Sequence, residues 1–195
     1  MGTTTKPWIQ TATERVFNFL QPDVNDVCIR DIAHALSNIC RFTGHVGEFY
    51  SVAQHSVLVS YLVNPIYARE ALMHDASEAY LGDVNSPLKH QLPEYQKIEA
   101  EVMRAVEKKF ELVAGPIGDV VRADEQAFKM ELVRFFHYKC PLWLKYVDNP
   151  KVYTESEYRP IIALSPADAR EAFIARYHEL FEADLTGKDP IQVAY

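Results

Sequence analysis

The sequence predicts an all-α fold. Three observations carry this expectation: apolar side chains recur at helical spacing over most of the 195 residues, alternating strand patterns are scarce, and the periodic stretches are separated by breakers such as Asn64-Pro65 and Gly115-Pro116. A first helix is expected over residues 28–40, where Ile29, Ile32, Ala33, Leu36 and Ile39 recur and Asp26 is available as an N-cap. A second follows Ser51 and carries Val52, His55, Val59 and Leu62 on neighbouring turns. Asn64-Pro65 then interrupts the chain before a third helix over 66–79. The amphipathic stripe Tyr95, Ile98, Val102, Ala105, Val106 predicts a long fourth helix from Pro93 to Phe110, ended by Gly115-Pro116. A fifth is expected over 117–138, with Val120, Ala123, Ala127, Met130 and Val133 in helical recurrence. Pro141 to Ile162, rich in Tyr, Pro and Asn, reads as an irregular connection, and a last helix opens at Ser165-Pro166, where serine caps and proline fills the first turn.

Composition narrows the function classes. A hydrophobic fraction of 48% over this length suits one folded domain spanning 1–195. The net charge of −7 argues against a broad footprint for nucleic acid or an anionic membrane, so any phosphate site must be local. The odd set Cys28, Cys40 and Cys140 lacks the short pairs of a structural zinc site or disulfide framework, and reads as thiols in a reducing compartment. The first residues lack the apolar run of a signal peptide and no stretch is long enough to span a bilayer, so a cytoplasmic location without membrane or stable nucleic-acid partners is expected.

Candidate chemistry begins at His74-Asp75, two metal-ligand side chains set among apolar neighbours in Ala71-Leu72-Met73-His74-Asp75-Ala76. Helical spacing puts Glu78 one turn beyond His74. His55 lies on the apolar face of the second helix, which should pack against the helix bearing His74. Asp124 is embedded in the stripe of the fifth helix, where burying an unpaired carboxylate would cost several kcal/mol, so it needs a cation or strong donors. The alternatives are a surface ion pair for His74-Asp75, a hydrogen-bonded core histidine for His55, and a pair with Arg122 or Lys129 for Asp124.

The order His55, His74-Asp75, Asp124 resembles the HD-domain metal-dependent phosphohydrolases. Glu78 and the run Gly82-Asp83-Val84-Asn85-Ser86-Pro87-Leu88-Lys89 are similar to segments of the small 5′-deoxynucleotidase branch, as is Arg41-Phe42 ahead of the first histidine. The resemblance covers roughly residues 26–135 and extends to compact phage-type deoxynucleoside triphosphohydrolases, including ones that prefer dATP. It implies an all-helical fold and one divalent ion held by His55, His74, Asp75 and Asp124. That donor set suits Mn²⁺, Co²⁺, Fe²⁺, Ni²⁺ or Zn²⁺, with Mg²⁺ a further companion of substrate phosphates. It further implies that Glu78 exchanges a proton at the reacting centre, that Asp83 orients water or a ligand histidine, and that Arg41 and Lys89 hold phosphate while Phe42 stacks on base or sugar. His34 and His45 are further pocket candidates. The short interval between His55 and His74 departs from the deoxynucleotidase pattern and implies trimmed second and third helices.

The expected activity is metal-dependent hydrolysis of deoxynucleoside triphosphates, dATP-like, to nucleoside and tripolyphosphate. The alternatives are a 5′-deoxynucleotidase releasing phosphate, a catalytically silent nucleotide-binding module, and four unrelated ion pairs. An even-numbered homo-oligomer is also expected, with the aromatic stretch Tyr138 to Tyr158 as its interface.

Overall fold

The computed structural model describes residues 6–136 and 161–186. It is mostly helical, in the order β1 (Trp8–Gln10), β2 (Val16–Asn18), α1 (Ile29–Asn38), α2 (Val52–Leu62), α3 (Ala68–Met73), α4 (Glu78–Leu81), α5 (Ser86–Lys89), α6 (Pro93–Lys109), α7 (Gly118–Phe136) and α8 (Pro166–Thr186). Single 3₁₀ turns precede α2 and α3 at Arg41–Gly44 and Pro65–Tyr67. None of the described helices is long and apolar enough to cross a membrane. Cys140, most of the connection from Pro141 to Ile162, and the aromatic stretch from Tyr138 to Tyr158 lie outside the described residues.

The mostly helical fold is as expected, and the antiparallel pair β1–β2, with Ile9 opposite Phe17, is a small addition to it. Three residues per strand are too few to register as a period of two. Phe17 is fully buried and stacks on Tyr80 at 3.8 Å between ring centroids, so the hairpin closes one end of the core. Its turn is fastened to α1, where Thr13 donates from backbone N and from Oγ1 to the Asp31 carboxylate, both at 2.7 Å. The cap expected from Asp26 is not made. Cys28 occupies the N-cap position without a side-chain hydrogen bond, and Asp31 places the negative charge in the first turn.

The expected helix over 66–79 is broken at its most informative residues. Between α3 and α4 the backbone tightens into i→i−3 hydrogen bonds, Ala76 N to Met73 O at 2.9 Å and Glu78 N to Asp75 O at 3.0 Å. The His74 ring takes a carbonyl of the ending helix, its Nδ1 donating to Ala71 O at 2.7 Å. Gly82 then stops α4 at φ 82°, a conformation that favours glycine. The other ends follow side-chain chemistry. Ser51 accepts from Gln54 N to open α2, Asn85 accepts from Leu88 N to open the unforeseen α5, and Ser165 accepts from Asp168 N to open α8.

Two groups of buried residues form the interior. The larger joins α1, α2, α3, α6 and α8 through Ile32, Leu36, Val52, Leu72, Val102 and Phe173; the smaller joins α2, α3 and α7 through Val59, Ala71, Val120, Ala123 and Ala127. Each fully buried large side chain stabilises by about 1.5–3 kcal/mol. The C-terminal helix is part of this interior, since Phe173 is fully buried and Arg176 donates to Ser60 Oγ and to Ser60 O on α2, both at 3.0 Å. Helix α2 thus sits between α3, α7 and α8, and a polar side chain on its inner face has nowhere to go but the interior.

Candidate metal centre

His55 is such a side chain. It projects from α2 with no exposed surface, and α7 meets it with two carboxylates seven residues apart, two turns along one face. Asp124 Oδ1 lies 3.0 Å from His55 Nε2, and Glu131 Oε1 lies 2.6 Å from His55 Nδ1. From the tightened turn after α3, His74 Nε2 comes within 3.9 Å of Asp124 Oδ1 and 3.2 Å of Asp75 Oδ2, and Asp75 Oδ2 is 3.7 Å from His55 Nε2.

Both Nε2 atoms are buried and have no aligned hydrogen-bond partner, although carboxylate oxygens surround them. Each Nδ1 has one, Ala71 O for His74 and Glu131 for His55, which fixes both rings with Nε2 facing inward. Donor atoms of His55, His74 and Asp124 all lie within 4.8 Å of one another, and this group can hold a metal ion. Two imidazoles and a carboxylate are a donor set that divalent transition ions accept.

Glu131 is the residue that sequence reading missed. Fully buried, it accepts from Tyr50 Oη at 2.9 Å, from Arg41 Nη2 at 3.0 Å and from His55 Nδ1. Burial alone would raise its pKa, but Arg41, His55 and Tyr50 hold it below the usual glutamate range. Arg41 and Tyr50 reach it together because their backbones pair across the 41–50 loop, Arg41 N donating to Tyr50 O at 2.9 Å beside the Cys40–Ser51 bridge. The signal was present as spacing: Glu131 follows Asp124 by seven residues within the apolar stripe.

The other expected site residues divide. Arg41 is placed at the centre, but as the partner of Glu131, with Nη1 3.8 Å from Asp75 Oδ2 and Nε buried without a partner. Phe42 turns away onto α7, its ring centroid 6.0 Å from Phe128 and 5.2 Å from Phe136. It achieves this through a left-handed backbone shared by Phe42, Thr43 and Gly44, strained for the two residues with side chains. Lys89 bonds Glu99 at 2.7 Å and approaches Glu78 Oε1 at 3.6 Å. Glu78 is buried, with Oε2 unpartnered, and burial followed by the charges of Asp75 and Asp83 pushes its pKa up to about 10. Asp83 is raised by its own burial, a shift that Arg41 and Lys89 partly oppose. His34 and His45 are exposed, and Arg122 pairs with Asp119 rather than with Asp124.

The neighbouring carboxylates favour the protonated form of both rings. Burial tends to lower the pKa of His74, but the charges of Asp75 and Asp124 raise it to about 9; His55 is raised in the same sense, since burial and Arg41 are outweighed by Glu131 and Asp124. Asp75 is held far below the carboxylate range because His74, His55 and Arg41 overcome its burial. The stability that His74 contributes is therefore complete below pH 6.5, the unfolded value, and is lost as pH rises through about 9. Binding of an ion needs neutral rings, so uptake at pH 7 is expected to release the proton of His74, with affinity rising about tenfold per pH unit below about 9. Calorimetry in buffers of different ionisation enthalpy checks this, and uptake without proton release would contradict it.

Fold and centre together define a class: a mostly helical protein with a partly buried His–His–Asp group between its helices that can hold a metal ion. No family model matches the chain. It is 37% identical over 175 residues to the uncharacterized protein YfdR of Escherichia coli (strain K12), covering 90% of this chain and 96% of that protein. It is also 28% identical over 197 residues to the uncharacterized protein RCAP_rcc00048 of Rhodobacter capsulatus, covering 91% and 97%. The chain belongs to the family of the Escherichia coli protein YfdR.

Proposed function

We propose that this protein is a divalent-metal-dependent phosphohydrolase of the HD-domain kind, acting on deoxynucleotides and favouring triphosphates over monophosphates. One observation carries the reading. Two buried imidazole nitrogens without hydrogen-bond partners face a common point with the carboxylates of Asp75 and Asp124, and the four residues stand in the order of the HD pattern.

A divalent ion at that point supplies Lewis acidity toward a phosphoryl oxygen and toward water. The side chains around it supply proton control and position. Glu78 holds a proton at neutral pH, because burial and two neighbouring carboxylates raise it, and so serves as an acid for the departing oxygen. Lys89, half-buried between Glu78 and Glu99, exchanges Glu99 for a substrate phosphate. Arg41 keeps its grip on Glu131 and presents Nη1 to the Asp75 side, where phosphate charge gathers. Water attacks the α-phosphorus, the bond from phosphorus to the 5′ oxygen breaks, and that oxygen takes the proton, leaving nucleoside and tripolyphosphate.

The test is a product assay with dNMP and dNTP panels under Mn²⁺ or Co²⁺. Tripolyphosphate from a dNTP is expected; inorganic phosphate from a dNMP would move the protein to the deoxynucleotidases, and consumption of neither pool would overturn the reading.

A further inference from the structure

Beside the candidate metal centre lies a cavity of 590 Å³ that the chemistry above does not use. Its walls come from α6, the 112–117 loop and α7, and two of its lining residues, His74 and Asp124, belong to the metal group. Arg41, Asp75, Glu78 and Lys89 do not line it. The cavity and the phosphate-binding cations therefore approach the centre along different surfaces.

The lining decides what can enter. Met103, Leu112, Ile117 and Val120 give it apolar walls. Its charged groups are mostly carboxylates: Glu70, Glu107 and Asp124 against the single guanidinium of Arg104, which is already bonded to Glu101 at 2.6 Å. A phosphate chain would meet repulsion here, whereas a flat, neutral, largely apolar group would not. The loop that roofs the cavity is held open in place, since Glu70 accepts from Val113 N at 3.2 Å and Glu107 from Gly115 N at 2.8 Å. The volume falls within the range of roughly 300–1,000 Å³ typical of small-molecule sites.

We propose that this cavity binds the nucleoside end of the substrate, so that base selection is made by α6, the 112–117 loop and the first turns of α7. The proposal rests on the phosphohydrolase reading and deepens it. A nucleoside seated there places the phosphorus nearest the sugar at His74 and Asp124, and the remaining phosphates run out toward Lys89 and Arg41.

Ala100→Trp and Val121→Trp test it, because both positions line the cavity, are exposed at its rim and touch no candidate ligand. Calorimetry on the ion-loaded protein compares a deoxynucleoside triphosphate analogue whose 5′ oxygen is replaced by a methylene group, so that the bond to be broken is absent, with inorganic tripolyphosphate, which lacks a nucleoside. Each variant is expected to weaken the analogue at least about tenfold, while tripolyphosphate stays within about twofold of its original affinity. Unchanged analogue affinity in both variants, or equal weakening of both ligands, would overturn the cavity assignment. Failure of the unsubstituted protein to bind either ligand would instead sink the phosphohydrolase reading on which it rests.

Discussion

Asp75→Asn is expected to lower phosphoester turnover by about 10³-fold without unfolding the protein. Asp75 Oδ2 is the oxygen that faces both histidines and Arg41, at 3.2 Å from His74, 3.7 Å from His55 and 3.8 Å from Arg41. An amide keeps the shape and removes the charge. If the proposed function holds, losing the Asp75 charge and its hold on the ring protons would forfeit about 4 kcal/mol of transition-state stabilisation, and each 1.36 kcal/mol is a factor of ten. The fold survives because Arg41 retains Glu131 and the side chain of Asp75 is partly exposed. The measurements are turnover, bound metal by elemental analysis and helical content by circular dichroism. Turnover and metal content matching the unsubstituted protein would show that the His74-Asp75 pair is ordinary ion pairing.

Glu131→Ala is expected to act first on stability. The substitution strands the Arg41 guanidinium, the Tyr50 hydroxyl and the His55 Nδ1–H together in the interior. Removing one partner of a buried ion pair costs about 3–5 kcal/mol, which at roughly 2–4 °C per kcal/mol lowers Tm by about 10 °C. Glu131→Gln separates the roles. It preserves volume and an acceptor, so most stability returns, but a neutral amide no longer raises the basicity of His55, and metal affinity is expected to fall about 10–100-fold. A Glu131→Gln variant with unaltered metal affinity would reduce Glu131 to a purely structural part.

The site was legible where its residues are costly. A histidine at an inward position of α2 and an aspartate in the stripe of α7 demand compensation, so His55, His74 and Asp124 stood out as candidates, and the structure brings these three together; the family resemblance, not spacing, joined Asp75 to them as a ligand. Glu131 escaped because its compensation comes from Arg41 and Tyr50, ninety and eighty-one positions away, and the loop that pairs those two leaves no periodic trace. The same loop explains Arg41 and Phe42. The arginine gives Nη2 to a fully buried carboxylate and turns Nη1 toward Asp75, and the left-handed turn sends Phe42 onto α7. The helices were legible wherever an apolar stripe ran ten residues or more, as in α1, α6 and α7. The break between α3 and α4 was not, because each residue there, read singly, is compatible with a helix. At the end of α3 the His74 ring takes the Ala71 carbonyl, and Gly82 ends α4.

The buried network also fixes the charge of what it can hold. Arg41 brings one positive charge, Asp75, Asp124 and Glu131 bring three negative ones, and Glu78 keeps its proton. With both rings neutral, these groups leave two negative charges unbalanced around the candidate site. Two ring protons restore electroneutrality, and so does one divalent ion, whereas a monovalent ion falls one charge short. An ion held by this group would therefore be matched by valence before ionic radius or ligand softness enters.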